Sequence, residues 1–187
     1  MLRLFVIFVA VLSLPIAAAA LSHETIVEGA KRCCRPEPEM QECCVRKIQN
    51  GSAKIGCPPP EWKIVGACFE KFFWNTSVIE RNVYKCCDLL HTSRCRRACS
   101  FAYRIPSLSP EIRDQITFDA DCIDLTQLVD DCRKDSILKQ HECLGRCLRL
   151  RRENPPGFHF DQLTHCPGMD IESLDGCIGP SNLLDFY

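Results

Sequence analysis

Sixteen cysteines are the residues of this 187-residue chain best suited to chemistry, and their setting decides which chemistry. They comprise the adjacent pairs Cys33-Cys34, Cys43-Cys44 and Cys86-Cys87, the C-x3-C segments Cys95 to Cys99 and Cys143 to Cys147, and Cys57, Cys68, Cys122, Cys132, Cys166 and Cys177. Reduced thiols in a cytosolic protein would suggest zinc or redox sites, whereas in an oxidising compartment the same thiols pair as disulfides. A catalytic site would need a nucleophile, a base and a group to orient them. The five histidines, His23, His91, His141, His159 and His165, are scattered, and no G-x-S-x-G, H-E-x-x-H or phosphate-cradling glycine loop occurs. His141 and His165 each lie close to a cysteine, but an even cysteine count in a secreted chain favours structural disulfides over thiolate pairs. No catalytic residue is expected, and the chain reads as a non-enzyme. The acidic run Asp119-Ala120-Asp121-Cys122-Ile123-Asp124 fails as a calcium loop because its sixth position is Asp124 where that loop has glycine. Neither a metal nor another cofactor is expected.

The compartment follows from the first residues. Arg3, an apolar run from Leu4 to Leu14, Pro15 and the small residues Ala17 to Ala20 have the layout of a secretory signal peptide, expected over 1–20. The run is too short to span a membrane, which takes ~20 apolar residues. No later stretch is long or apolar enough either, and the C-terminus lacks the tail of a glycolipid-anchor signal. All 16 cysteines then fall in residues 21–187, at the ~8–10% density of a disulfide scaffold. The N-x-S/T acceptors at Asn50 and Asn75 fit a secreted, extracellular glycoprotein. Loss of Arg3 shifts the formal net charge from −1 to −2, which calls for no nucleic-acid or membrane partner.

The elements that must position the cysteines can be read from spacing. The sequence divides into three consecutive cysteine-rich units, a divergent one over 21–80, a second over 81–135 and a third over 136–187, with six, six and four cysteines. Internal repetition accounts for the recurring gaps, and even counts permit each unit to close its own bridges. Adjacent cysteines have Cα atoms about 3.8 Å apart, below the usual 4.4–6.8 Å of a disulfide, so members of a pair reach different partners. Sixteen cysteines allow roughly two million pairings, which leaves the connectivity open. Cysteines four apart share a helix face, and Leu89, Leu90, Ala98, Phe101 and Ala102 near the first C-x3-C, with Leu144, Leu148 and Leu150 near the second, complete apolar stripes. Pro106 and Pro110 end the first of these helices, with Ser109 or Pro110 opening the next. Helices are expected over 111–118 and 123–132, and, after Pro155-Pro156-Gly157, over 158–163 and 171–174. The expected fold class is small, mainly α and disulfide-rich, built from tandem disulfide-stapled helical hairpins.

Cys57-Pro58, the ten-residue gap to Cys68, the acceptor at Asn75, Cys86-Cys87-Asp88-Leu89 and Arg94-Cys95-Arg96-Arg97-Ala98-Cys99 resemble the amino-terminal cysteine repeats of the reversion-inducing cysteine-rich protein with Kazal motifs. The middle unit is also similar to the DB module of secreted nematode proteins. The resemblance covers roughly residues 57–132. It departs at Cys43-Cys44, where a C-x3-C is expected, and in the third unit, which lacks a leading cysteine pair. It implies restraint of metalloproteinases or a role beside a signalling receptor.

Arginines supply the candidate binding chemistry. Arg94, Arg96, Arg97 and Arg104 accompany the first C-x3-C helix, and Arg146, Arg149, Arg151 and Arg152 the second. Arg146, Arg149 and Arg152 are spaced by three, so one helical face would present three guanidinium forks to carboxylate or sulfate groups, as on a sulfated glycan. A solvated face that keeps the helix soluble is the plainer explanation. Arg96, Arg97, Arg149 and Arg152 are the residues expected to tune binding without being needed for folding. Phe69, Phe72, Phe73 and Trp74 are expected to pack one unit against the next in preference to forming a contact surface. Cys57-Pro58-Pro59-Pro60-Glu61-Trp62 reads as a stiff loop, either a rigid linker or a segment offered to a protease. The leading functional expectation is a secreted binding protein for another extracellular protein. A protease inhibitor, metallo- or serine, is the alternative, and an apolar-ligand carrier ranks third.

Overall fold

The computed structural model describes residues 21–57, 59–90, 92–119, 122 and 131–167. The expectations placed on residues 1–20, Pro58, His91, Asp121, Asp124, 123–130, 171–174 and Cys177, and on the side chain of Cys132, lie outside the described residues.

The described elements are all helical: α1 (His23–Cys33), α2 (Pro38–Gln49), a 3₁₀ turn (Pro59–Glu61), α3 (Trp62–Trp74), a 3₁₀ segment (Val83–Leu89), α4 (Ser93–Ala102), α5 (Pro110–Thr117), α6 (Asp131–Glu153) and α7 (Gln162–His165). The protein is thus a small, mainly α, disulfide-rich fold. Local chemistry sets the ends of these helices. The Ser22 hydroxyl accepts the Thr25 amide at 3.1 Å to open α1, and Lys31 and Arg32 face the negative end of its dipole. At the end of α2, Gly51 takes φ +60°, its amide reaches the Ile48 carbonyl at 3.0 Å and the Ser52 amide reaches that of Lys47 at 2.9 Å. That double closure is a Schellman turn, which needs a residue tolerant of the left-handed region. Thr92 caps the Cys95 amide at 3.2 Å, and Ser109 with Pro110 opens α5 as its sequence signals.

Disulfides fasten these helices into two cores. In the first, Cys33–Cys68, Cys34–Cys44 and Cys43–Cys57 tie α1, α2 and α3 around Ile26, Ala30, Ile48, Ile55, Val65 and the fully buried Phe69. Gly29 lets α1 approach α3, since a Cβ there would lie 2.9 Å from Phe69 Cε1. In the second, Cys87–Cys99 and Cys95–Cys122 pin α4, Cys143–Cys166 pins α6 to the end of α7, and Cys86–Cys147 joins α6 to the Val83–Leu89 segment. Both members of each adjacent pair reach different partners, as the Cα spacing requires.

The helix α6 runs across the expected boundary between 135 and 136, and Leu144, Cys147 and Leu148 pack in one core with Val83, Cys86, Cys95, Cys99 and Tyr103. The physical reason is that α6 covers the apolar face of the middle segment, which is too small to bury its own surface. The two cores are also joined. Trp74 Nε1 donates to the Pro106 carbonyl at 2.9 Å, and Glu70 on α3 pairs with Arg113 on α5, both side chains fully buried. Glu70 also accepts the Ile79 amide at 2.7 Å, while Arg113 donates to the Ile105 carbonyl at 2.8 Å.

Candidate functional site

α4 is held from one side only. Cys95, Cys99 and Ala102 are buried along its inner stripe, and both cysteines are bridged. Ser93, Arg96, Arg97, Ser100 and Phe101, followed by Arg104, recur every three to four residues and therefore line up on the outer face. The expectation that Phe101 belongs to the buried stripe is corrected here. It is 55% exposed because the inner stripe runs through positions 95, 99 and 102, and residue 101 turns away from it with Arg97.

That outer face lines an open groove of about 1090 Å³. Residues 50–54, the Schellman turn after α2, line it too, together with Trp62 and Asp88. Arg104 is held among aromatic rings, its guanidinium carbon 4.4 Å from the Tyr84 ring centre and 5.8 Å from that of Trp62. Arg96, Arg97 and Lys54 are exposed. Four cationic side chains thus share the groove with the carboxylate of Asp88 and with the apolar surfaces of Phe101 and Trp62. Such a surface can pair carboxylate or sulfate groups with guanidinium forks while covering an apolar side chain.

The second arginine face differs from its sequence expectation. Arg149 is exposed on α6, but Arg146 donates to the His165 carbonyl at 2.8 Å. Arg152 is drawn into the fold: its Nη2 donates to Asp114 Oδ1 at 2.6 Å and to the Tyr103 hydroxyl at 3.2 Å. Burial opposes its charge, yet the Asp114 and Tyr103 hydrogen bonds raise its pKa overall. Tyr103, buried and donating to Asp114 at 2.6 Å, has its pKa pushed well above the ordinary phenol range. The row of three guanidiniums is therefore broken, because Asp114 on α5 pairs with the last of them.

Comparison with protein-family models, curated proteins and solved structures returns no match. The functional reading consequently stands on geometry.

The other sequence candidates divide between exposed and packed positions. Asn50 lines the groove and is exposed; Asn75 ends α3 in the left-handed region at φ 54° and is exposed. Phe69 is buried and Phe72, Phe73 and Trp74 are half-buried, in keeping with a packing role. Residues 59–61 form a 3₁₀ turn that feeds α3, with Glu61 paired to Arg35. This is more compact than a peptide bound by strand addition. His141 is half-buried, its Nε2 lying 3.4 Å from the Cys122 carbonyl, and burial lowers its pKa. Cys143 and Cys166, beside His141 and His165, are bridged to each other. What sequence reading missed is the partnership between residues 50–54 and α4; the outward spacing of Arg96, Arg97, Ser100, Phe101 and Arg104 was its only local signal.

Proposed function

We propose that this chain is a secreted extracellular binding protein that recognises another extracellular protein through the α4 groove. The carrying observation is the outer stripe of α4, which sets Arg96, Arg97 and Arg104 beside Phe101 while disulfides fix the opposite stripe. A rigid backing lowers the ordering cost of recognition. The chemistry suits a segment that combines acidic side chains with an apolar one: guanidiniums take the carboxylates, and Phe101 and Trp62 cover the apolar group. A sulfated glycan answers the charge but leaves the aromatic surface uncovered, so a protein segment is the better fit. The paired cysteines support an oxidising compartment, and no helix among the described residues is long and apolar enough to cross a membrane.

The test is affinity capture of extracellular proteins by the parent, by Arg96→Glu/Arg97→Glu, and by Arg149→Glu, which changes an exposed arginine outside the groove. A saturable partner should be held by the parent and by Arg149→Glu, with at least tenfold weaker binding and a reduced salt dependence in the groove variant. Equal capture by all three, with unchanged unfolding, would remove the groove from the binding site.

A further inference from the structure

Asn50 holds two positions at once: it is the acceptor of the N-x-S/T sequence Asn50-Gly51-Ser52, and it stands on the wall of the α4 groove. Its surroundings suit modification. The side chain is exposed, so an attached sugar displaces nothing in either core, and Gly51 beside it has φ +60° with nothing within 4 Å of where a Cβ would stand. The backbone that carries it is well held. The Asn50 amide donates to the Arg46 carbonyl at 3.1 Å, the Lys54 amide donates to the Ser52 hydroxyl at 3.1 Å, and Cys34–Cys44 and Cys43–Cys57 fasten α2. The other wall of the groove is the outer face of α4, with Arg96, Arg97 and Phe101. An N-linked sugar is bulky and hydrated, and on Asn50 it would stand beside those three side chains. Asn75, the other acceptor, is exposed as well but lines a separate cavity of about 430 Å³ that shares no lining residue with the groove.

We propose that Asn50 carries an N-linked glycan that attenuates the α4 groove, so that glycosylated chains hold a macromolecular partner more weakly than unglycosylated ones, whereas a glycan on Asn75 leaves the groove unaffected. The inference rests on the reading of the chain as secreted and of the groove as its binding face. Attachment joins Asn50 Nδ2 to the anomeric carbon of a lipid-diphosphate-linked oligosaccharide; the lipid diphosphate leaves and Nδ2 gives up a proton. No charge is added to the groove by that bond, so the effect is one of excluded volume: a partner approaching Arg96, Arg97 and Phe101 must share the space with the sugar.

The experiment uses the full chain expressed in a glycosylating host. Peptide mass spectrometry after enzymatic sugar release in heavy-oxygen water reads occupancy at Asn50, because only a released site takes up the label and spontaneous deamidation at Asn50-Gly51 does not. The binding probe is a single-domain antibody selected on Asn50→Gln and retained only if Arg96→Glu/Arg97→Glu abolishes its binding. It should hold Asn50→Gln about tenfold more tightly than the glycosylated parent, and Asn75→Gln should behave as the parent does. Enzymatic removal of the sugar from the parent should restore most of the difference. If Asn50→Gln is not secreted, Ser52→Ala, which keeps Asn50 and removes the acceptor sequence, replaces it as antigen and comparison. Unmodified Asn50 in the secreted protein would overturn the proposal, as would equal affinity for the parent and the acceptor variant, or relief by Asn75→Gln. Should the antibody separate the two forms while a captured extracellular partner binds both equally, the glycan shields the groove as proposed and the groove's role as the partner site falls instead.

Discussion

Glu70 and Arg113 carry opposite charges into a place where neither side chain is exposed. Desolvating both is costly, and the pair survives because each partner has a further hydrogen bond: Glu70 takes the Ile79 amide, and Arg113 reaches the Ile105 carbonyl. Removing one partner strands the other. Glu70→Leu and Arg113→Met are each expected to destabilise the oxidised protein by about 3–5 kcal/mol. The double variant should cost at least about 2 kcal/mol less than the sum of the two, since no buried charge is left unpaired. Denaturant unfolding of the four proteins measures that coupling, and strictly additive costs would contradict it. The pair was partly legible in the sequence. Glu70 falls on the stripe of Val65, Gly66 and Phe69, where a carboxylate requires a partner. Which cation supplies it is decided by where packing on α4 sets α5, and nothing local to Arg113 announces that.

Helices meet at distances set by their smallest side chains, and α1 meets α3 at Gly29. Alanine is the better helix former by about 1 kcal/mol, so on an open helix Gly→Ala stabilises. At Gly29 the added Cβ would stand 2.9 Å from Phe69 Cε1 and 3.1 Å from Phe72 Cδ1, and fully buried Phe69 has no room to yield. Gly29→Ala is therefore expected to destabilise by about 1–2 kcal/mol net. Gly145 on α6 is the control, because a Cβ there meets nothing within 4 Å, and Gly145→Ala should stabilise by up to about 1 kcal/mol. Thermal unfolding of the two variants should move in opposite directions; a gain at Gly29 would mean that the α1–α3 contact is looser than described. At this scale the sequence spoke clearly about one helix start, through Ser109-Pro110. It spoke poorly about which face meets which neighbour. Phe101 is apolar yet outward, and Arg152 is charged yet taken up by Asp114, because the partner element rather than the residue type decides.

Cysteine spacing divides the chain into three units whose even counts permit internal closure, and the first does close its bridges internally. The second and third share a core, and among the described bridges Cys86–Cys147 joins them, closing the longest described interval, 61 residues. Spacing could not disclose this bond, since the even count in every unit is compatible with internal closure as well as with exchange between neighbours. The choice is made by apolar area: Leu144 and Leu148 of α6 cover Val83, Leu90 and Tyr103, and Cys147 shares their buried face. A cross-link over that interval restricts the unfolded chain by about 4 kcal/mol, against about 3 for the ten-residue interval of Cys34–Cys44. Cys86→Ala/Cys147→Ala should therefore destabilise more than Cys34→Ala/Cys44→Ala, and it should do so unevenly. With α6 no longer fastened to the Val83–Leu89 segment, amide exchange should quicken across residues 138–153 while α1 and α3 keep their protection, because their own three bridges remain. Hydrogen exchange followed by mass spectrometry separates the alternatives. If protection falls equally across the molecule, the two cores open as one cooperative unit through Glu70–Arg113 and Trp74–Pro106; if α6 stays protected, apolar packing alone holds it and the bridge is secondary.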